Sequence, residues 1–485
     1  MPATPGELFV QLWIKASNWP PNFRTASPKV DALRCHKIQF SLAHENGADT
    51  ITDLLALLAI EADNSINQRA LIFEIMRALD MAFYEIHPRA LTSAHFPKRA
   101  RQSWLEDASD SRHATGAYSE WGEYRLIARG PLLRRERPEN ADSADSLANR
   151  FSALSVVKAK YNEAGRPIQI THKLVFGDSF RGVRPGKNDG AEKVVFLPVA
   201  ETADEIQIED KSSNDRHFLD YKASDKLNVR ERIIQGLESA GNSDIAIAPE
   251  LVVSDIEANH VCDAMPFCTA EVRLFVAGSG HTLASDELGM HWNEARVVNG
   301  LGAELWRQRK LWPACIDGSS AQKLGVDARN DKDYYEFNAS GNELLVVDVE
   351  SMGRCIVLIC QDILAEPLVS EVIRSFQPDW IFSPILDHDV ERGRWAHRYA
   401  FSLSRLSPAR FIFSTSTSFC RKLGCADARA CGMAVGPFAG DGADDKDRMC
   451  ATVRPELGHA TEFATVQWRS GCPKWQSSKL TVTAS

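Results

Sequence analysis

Apolar residues recur at spacings of three and four along the first part of the chain. The segments over 51–62 and 66–83 each place their apolar residues on one helical face, with Asn64–Ser65 between them. This spacing is typical of amphipathic helices, so an antiparallel helix pair is predicted, ending before Pro88. Residues 1–146 are therefore predicted to form a mostly helical N-terminal region.

The pattern then changes to the alternation of half-buried strands. Leu154–Tyr161 and Ile168–Phe176 alternate apolar and polar residues, which predicts a hairpin. The flanking stretches Gly130–Ser146 and Gly182–Gly190 are rich in charged and small residues, as linkers are. Residues 147–190 are accordingly predicted to be a hairpin-like linker region.

From residue 193 onward, short apolar runs alternate with helical spacing. A helix is predicted over Leu227–Leu237, with Ser224 or Asp225 as its N-cap. The predicted strands are Val194–Val199, Asp244–Ala248, Arg273–Ala277, Asn293–Asn299, Glu304–Arg309, an apolar pair within 344–359, Trp380–Ile385 and Arg410–Ser414. Strand–helix alternation of this kind predicts an α/β sandwich in one domain over residues 191–472.

Composition is that of a soluble globular protein with two domains. The chain has 485 residues, 44% hydrophobic and 25% charged, with a net charge of −9. No nucleic-acid or membrane partner is expected, since the balance is acidic and the longest apolar stretch, Leu54–Ile60, is too short to span a bilayer. Eleven scattered cysteines and an N-terminus unlike a signal peptide predict reduced thiols in a cytoplasmic protein.

Three residues whose side chains could take part in catalysis follow predicted strands. Glu250 ends SDIAIAPE, Lys310 ends ELWRQRK and Cys360 ends CIVLIC. A cysteine can attack an amide or nitrile carbon, and a carboxylate can move the proton. An ammonium group, with a backbone N–H near Gln361, can stabilise the oxyanion, and the same ammonium favours the thiolate. Each residue alone is weak evidence, because most buried cysteines are inert.

Several segments resemble the nitrilase, or carbon–nitrogen hydrolase, superfamily over about residues 190–470. They are IAIAPEL, NEARVVNGLGAELWRQRKLWP, GRCIVLICQD with Asp362, PDWIFSP with the following Trp395 and Arg398, and GMAVGPFAGDG. The resemblance implies an α-β-β-α sandwich and a Glu–Lys–Cys triad of Glu250, Lys310 and Cys360. It also implies a small-molecule amide or nitrile substrate, no metal or organic cofactor, and a homo-oligomer formed by face-to-face packing of this domain.

Two segments depart from the family pattern. The family carries a second glutamate in a Pro-x-x-Glu turn after the lysine, whereas here the turn from Pro313 is followed by Asp317. Asp317 is a possible second acid, Glu336 is an alternative, and a third interpretation is that the role is absent. FIFSTSTSF lacks the usual asparagine, so the hydroxyls of 414–418 are expected to favour a different polar substrate.

Other residues receive structural interpretations. Asp362 is expected to cap the following turn, or to support the oxyanion site with Gln361, rather than to perform chemistry. His281 and His291 lie in loops without further context. Cys420, Cys425, Cys431 and Cys450 lack the spacing of a zinc site, so no metal is predicted.

Three functions remain open on the sequence alone. The first is a hydrolase that cleaves a non-peptide carbon–nitrogen bond, most simply an amide, through an acyl-cysteine intermediate. The second is a glutaminase or acyl-transfer subunit that supplies another activity. The third is a catalytically degenerate sensing or interaction module, which the unassigned N-terminal 185 residues and the shifted second acid favour.

Overall fold

The computed structural model describes most of the chain. The described residues are 1–21, 31–60, 65–88, 102–133, 147–180, 183, 192–213, 216–388, 390–391, 393–424, 430–437, 449–453, 464–469 and 474–479. Most of both predicted linker stretches, 130–146 and 182–190, lies outside these ranges.

Eleven α-helices occur within the described residues. They are α1 (Pro5–Ser17), α2 (Ala32–Leu42), α3 (Gly47–Ile60), α4 (Ser65–Phe83), α5 (Ser103–Thr115), α6 (Val229–Ala240), α7 (Asp255–Ala264), α8 (Gly318–Lys323), α9 (Leu368–Phe376), α10 (Trp395–Leu403) and α11 (Ser418–Lys422).

Twenty-two strands occur in the same described part. They are β1 (Ser119–Trp121), β2 (Tyr124–Ala128), β3 (Leu154–Lys158), β4 (Lys160–Glu163), β5 (Arg166–Val175), β6 (Lys193–Phe196), β7 (Ile206–Asp210), β8 (Phe218–Ala223), β9 (Ser243–Ile247), β10 (Val272–Ser285), β11 (His291–Asn299), β12 (Glu304–Arg309), β13 (Cys315–Asp317), β14 (Asp333–Glu336), β15 (Glu343–Val349), β16 (Gly353–Val357), β17 (Trp380–Ile385), β18 (Arg410–Thr415), β19 (Ala430–Val435), β20 (Met449–Val453), β21 (Ala464–Arg469) and β22 (Lys474–Lys479).

The N-terminal region has its own apolar core. Helices α1 to α5 and the small sheet β1-β2-β3 bury a cluster that includes Phe9, Ile72, Leu79 and Leu126. The predicted helix pair is confirmed as α3 and α4. Its helices are amphipathic because their apolar residues repeat at helical spacing, which lets one face pack against the core.

The rest of the chain is built on two large sheets. One has the strand order β12-β11-β10-β9-β6-β21-β22, and the other β20-β19-β18-β17-β16-β15-β5-β4. Side chains from both sheets, such as Ile245, Val297, Ile356 and Phe411, share one buried cluster, so the sheets pack face to face.

Helices cover the other faces of both sheets. Helices α6 and α7 bury Ile233 and Val261 against the first sheet, and α9 and α10 bury Val372 and Ala400 against the second. Strands with apolar residues on both faces require such cover. The predicted α-β-β-α sandwich with a mostly helical N-terminal region is confirmed.

The prediction of a separate linker over 147–190 needs correction. β5 pairs in parallel with β15, from Gln169 opposite Glu343 to Val175 opposite Val349, and is therefore an integral strand of the second large sheet. The predicted hairpin is present as β4 and β5, which pair antiparallel from Lys160 opposite Gln169 to Glu163 opposite Arg166. The first part of the predicted strand, β3, pairs instead with β2 of the N-terminal region. Alternation alone indicates a strand but does not identify its partner, because distant strands compete with the sequence neighbour.

The predicted N-cap of α6 is also wrong. Asn228, not Ser224 or Asp225, caps this helix, and its side-chain oxygen accepts a hydrogen bond from the Glu231 N–H at 3.2 Å. Both Asn and Asp satisfy the free N–H groups of a first turn. Which of the candidate residues caps the helix therefore depends on where the preceding chain turns into the helix.

A smaller four-stranded sheet, β13-β14-β8-β7, lies beside the sandwich. Its hairpin β7–β8 is inserted between β6 and α6, and its buried side chains include Leu219, Tyr221 and Tyr334. Leu251, which follows Glu250, belongs to the same apolar cluster. This sheet therefore packs directly against the loop that carries Glu250.

The junction of the N-terminal region and the sandwich is charged and buried. Asp348 accepts hydrogen bonds from Arg354 Nε at 2.6 Å and Arg112 Nη2 at 3.0 Å, and His172 Nε2 lies 3.0 Å from its Oδ1. Arg354 also donates to the carbonyl of Ala128 in β2 at 2.9 Å. These four side chains, Arg112, His172, Asp348 and Arg354, are called the junction cluster below.

Among the described helices, none is both long and apolar enough to cross a bilayer.

Candidate active site

Cys360 is presented at a strained turn directly after a buried strand. Every residue of β16 is buried, and Cys360 opens a 3₁₀ turn that spans Cys360–Leu364. Its φ of 52° lies in the left-handed region, which a residue with a side chain rarely adopts. Strain of this kind is often found at functional sites, because the surrounding structure must hold it in place.

Asp362 connects the cysteine turn to the lysine segment. Its carboxyl oxygens accept hydrogen bonds from the backbone N–H groups of Leu311 at 3.0 Å, Trp312 at 3.1 Å and Ile359 at 3.2 Å. Burial raises its pKa to about 7. Asp362 therefore fixes the spacing between Lys310 and Cys360, in keeping with its expected structural part.

Gln361 contacts the same segment from the next position. Its side-chain oxygen accepts a hydrogen bond from the Cys315 N–H at 3.4 Å. Gln361 and Asp362 together hold residues 311–315 against the cysteine turn.

Lys310 lies at the centre of the site, fully buried. Its Nζ donates to Glu250 Oε1 at 2.7 Å and to Glu336 Oε2 at 2.5 Å. Burial opposes the charged form, but the two carboxylates outweigh it and raise the pKa of Lys310 well above its ordinary value. The two carboxylates therefore favour the charged form of the ammonium group.

Glu250 is held by three further groups. Asn293 Nδ2 donates to Oε1 at 2.9 Å, and the Leu386 N–H donates to Oε2 at 2.9 Å. The Cys360 thiol is the third neighbour, close enough to affect the pKa of this carboxyl. Burial raises the pKa of Glu250, although Lys310 opposes the shift. A carboxyl with a raised pKa is a better proton acceptor than an ordinary one.

The Cys360 thiol differs from expectation. Burial and the Glu250 carboxyl raise its pKa well above the ordinary value, and this outweighs the lowering effect of Lys310. Lys310 does favour the thiolate, as expected, but this is only one influence on the pKa of Cys360 and it does not prevail. The surroundings of the sulfur therefore favour the thiol over the thiolate.

Glu336 lies in the cluster and Asp317 does not. Asp317 is the N-cap of α8, where it accepts from the Ser320 N–H at 2.9 Å, and its carboxyl is unburied. Glu336 contacts Lys310 and accepts from the Ala314 N–H at 2.9 Å. Of the two sequence alternatives, the structure brings Glu336 to the lysine.

The path of the chain between β13 and β14 brings Glu336 to the lysine. β13 and β14 pair antiparallel, with Cys315 opposite Tyr335, and the chain between them forms α8 and its flanking turns. Because β14 pairs with β13, Glu336 lies beside the turn that starts at Pro313. We call Glu250, Lys310, Glu336 and Cys360 the site cluster.

Two further residues at the site, Asn293 and Tyr221, are not among those predicted from the sequence. Asn293 lies in β11 just before its pairing with β12 begins, and its backbone carbonyl also accepts from the Lys310 N–H at 2.8 Å. Tyr221, on β8, is close enough for Glu336, Lys310, Glu250 and Cys360 all to affect the pKa of its hydroxyl. Asn293 belongs to a segment of recognisable pattern, whereas Tyr221 lies in an insertion without a readable motif.

Histidine and cysteine side chains outside the cluster take other places. His281 Nε2 lies 3.2 Å from Asp220 Oδ1, and its ring stacks on His291 at 5.9 Å between centroids. Among the described side chains, no group of three or more His, Cys, Asp or Glu is arranged to hold a metal ion. Cys425 and the side chain of Cys450 lie outside the described part.

Comparison with known proteins finds similarity in structure but not in sequence. No family model matches the chain, and no curated protein matches it. The structure is similar to Nit3 from Saccharomyces cerevisiae, a member of branch 10 of the nitrilase superfamily, at 10% identity and a TM-score of 0.36. That match covers 60% of this chain and 90% of the yeast protein.

Two further solved structures are similar. An amidase of the nitrilase superfamily from Nesterenkonia AN1, solved as a mutant with one cysteine replaced by alanine, is 12% identical with a TM-score of 0.35, covering 57% of this chain and 91% of the amidase. The glutamine-dependent NAD+ synthetase from Acinetobacter baumannii is 12% identical with a TM-score of 0.34. The match covers 61% of this chain and 48% of the synthetase.

Proposed function

We propose that this protein is a thiol hydrolase that cleaves a small-molecule amide through an acyl-cysteine intermediate. One observation carries the proposal: the buried Lys310 bridges the carboxylates of Glu250 and Glu336, and Cys360 lies close enough for the Glu250 carboxyl to raise the pKa of its thiol. A buried, strained cysteine beside a carboxyl of raised pKa is the arrangement that general-base activation of a thiol requires.

In the first step the sulfur is acylated. Glu250 takes the thiol proton as the sulfur bonds to the amide carbon, and the carbonyl π electrons move to oxygen. The Lys310 ammonium stabilises the oxyanion, with help from a backbone N–H of the turn at Gln361. Glu250 then gives the proton to the amide nitrogen, the C–N bond breaks, and the amine leaves a thioester on Cys360.

In the second step water clears the thioester. Glu250 takes a proton from water as the hydroxyl oxygen bonds to the thioester carbon. The C–S bond breaks, the sulfur regains its proton from Glu250, and the acid leaves. Atoms and electrons balance in both steps without a metal, a cofactor or a redox partner.

Glu336 acts through Lys310 in this scheme. Its carboxylate and that of Glu250 hold the ammonium from two sides, which fixes the position of Nζ and keeps it charged. Glu336 is therefore a positioning residue.

Alkylation at a limiting dose tests the nucleophile. We expect iodoacetamide, itself a small amide, to label Cys360 first, and we expect Lys310→Ala to lose that preference. Iodoacetate is expected to label Cys360 more slowly than iodoacetamide, because Glu250 and Glu336 together outweigh the charge of Lys310. Intact-mass spectrometry with peptide mapping measures both.

Matched cysteines and a turnover assay complete the test. Cys355 is equally buried but lies within β16, away from the site cluster, and should stay unlabelled. Ammonia release from short amides should disappear in Cys360→Ala, and added hydroxylamine would trap an acyl-transfer activity as a hydroxamate. If Cys360 reacts no faster than Cys35 and no amide releases ammonia, the protein is a degenerate sensing module instead.

A further inference from the structure

A polar cavity lies beside the site cluster, against the inserted hairpin. Its volume is about 240 Å³, below the range of roughly 300–1,000 Å³ that is typical for drug-sized ligands. Its wall includes Tyr221, Lys222, Asp225, Leu251, Glu257 and His281. A cavity of this size suits a molecule with only a few non-hydrogen atoms.

Strand pairing places the cavity next to the reacting groups. Glu336 in β14 pairs with Leu219 in β8, and Tyr221, two residues further along, lies on the same face of that strand. Leu251 adjoins Glu250 directly in the chain and packs in the same apolar cluster as Tyr221. Tyr221 and Leu251 thus belong both to the cavity wall and to the surroundings of the site cluster.

Tyr221 presents a buried polar group to this space. Its side chain is only 7% exposed, and no described residue hydrogen-bonds its hydroxyl. Burial and the Glu336 carboxylate raise the pKa of Tyr221, so the hydroxyl is neutral and remains a donor. A hydroxyl in the wall of a cavity can donate a hydrogen bond to a bound ligand or accept one from it.

The charges around the cavity are predominantly negative. Among the described residues, Lys222 is the one lysine in the wall, and it shares the Glu209 carboxylate, 2.5 Å from its Nζ, with Lys211. Asp225 and Glu257 are also in the wall, and the nearby site cluster has one carboxylate more than it has ammonium groups. An anionic ligand would therefore be repelled, whereas an ammonium group or a hydroxyl would find acceptors.

We propose that this cavity receives the acyl portion of the substrate, and that Tyr221 and Glu257 select small amides that carry an amino or hydroxyl group over those that carry a carboxylate. The inference rests on the proposed hydrolase function and names its substrate class. The hairpin β7–β8, which supplies Tyr221, is then a specificity element added to the sandwich.

A panel of three amides of similar size tests the selection. Wild-type protein should hydrolyse β-alaninamide with a higher kcat/KM than propionamide, and propionamide with a higher one than succinamic acid. Tyr221→Phe and Glu257→Gln should each lower the ratio for β-alaninamide over propionamide by about tenfold, mainly through KM, since one hydrogen bond to a charged group is lost.

Controls and a binding measurement separate this inference from the proposed function. Tyr335→Phe changes an exposed tyrosine in the same small sheet and should leave the ratio unchanged. Calorimetry on Cys360→Ala, with and without Tyr221→Phe, measures amide binding without turnover.

Each outcome decides one of the two proposals. If the wild type hydrolyses amides but neither variant alters the ratio or the calorimetric affinity, the cavity inference is overturned and the hydrolase stands. If no amide is hydrolysed but Cys360→Ala binds β-alaninamide through Tyr221, the hydrolase fails and the cavity inference stands.

Discussion

Two buried charge clusters in this molecule have different construction. In the junction cluster, Asp348 and Arg354 lie directly opposite each other in the β15–β16 pair. In the site cluster, Glu250, Lys310 and Cys360 all follow the ends of strands. A partner within a strand pair is held by the ladder itself, whereas residues at strand ends depend on loops to bring them together.

The two clusters also differ in their proton affinities. Burial opposes the charge of Asp348, but Arg354 and His172 outweigh it and lower the pKa of this carboxyl well below the ordinary value. In the site cluster burial prevails, and the pKa values of Glu250 and Cys360 rise. The junction therefore holds fixed charges, while the site holds groups that can exchange a proton.

We infer from this difference that the junction cluster and the site cluster have separate roles. The buried ion pair between Arg112 and Asp348 joins the N-terminal region to the sandwich. Proton-exchanging groups serve chemistry and must tolerate changes of charge during a reaction cycle. We expect the junction to respond to mutation mainly in stability and the site mainly in activity.

Asp348→Asn should produce the largest change in stability. Removing this carboxylate leaves the buried Arg354 guanidinium without its counter-charge, so the free energy of unfolding should fall by about 3–5 kcal/mol. Urea unfolding measures it. Asp331→Asn, in an exposed pair with Arg329, should stay within about 0.5 kcal/mol. Equal effects of the two variants would contradict the described junction.

Glu336→Gln should produce the complementary result at the site. The amide keeps the shape of the side chain, and Lys310 keeps its bond to Glu250, so stability should change by less than about 1.5 kcal/mol. Activity should fall by about 10²–10³-fold, because the ammonium group is held less firmly where the oxyanion forms. Steady-state ammonia release and urea unfolding give the two values.

Asp317→Asn is the matched control for this second acid. Asparagine caps a helix as well as aspartate does, so neither stability nor activity should change appreciably. A large loss of activity in Asp317→Asn, with Glu336→Gln unaffected, would assign the second acid to Asp317.

The smallest effect is expected in the pH dependence of stability. Burial lowers the pKa of His172 below 6.5, so the unfolded chain binds this proton more tightly and the contribution to stability is lost as pH falls below 6.5. The lowered pKa of Asp348 adds a further loss below pH 3.8. His172→Phe should reduce the slope of stability against pH between 6.5 and 4 by at most about 1.4 kcal/mol per pH unit.

Asp362 should act in the opposite sense over the same range. Its folded pKa is raised from 3.8 to about 7, so its contribution is present below 3.8 and is lost as pH rises through 7. Asp362→Asn should therefore make the slope more positive. Urea titrations between pH 4 and 8 compare the two variants, and a shift of both slopes in one direction would contradict this assignment.

Local pattern was sufficient for most elements of the sandwich. Helical spacing predicted α3 and α4, and short apolar runs predicted strands such as β9, β16 and β17. These elements depend on periodicity and burial, which a single sequence carries. The pairing of β5 with β15 could not be predicted in this way, because it joins residues more than 160 positions apart.

The sequence by itself determined the types and order of the candidate residues: a glutamate, a lysine and a cysteine, each after an apolar run. Only the tertiary structure decided that Glu336 and not Asp317 reaches Lys310, that burial and Glu250 raise the pKa of Cys360, and that Tyr221 stands beside the site. The physical reason is common to all three. Loop excursions and burial set the distances and the local dielectric, and neither can be read from the neighbours of a residue in the chain.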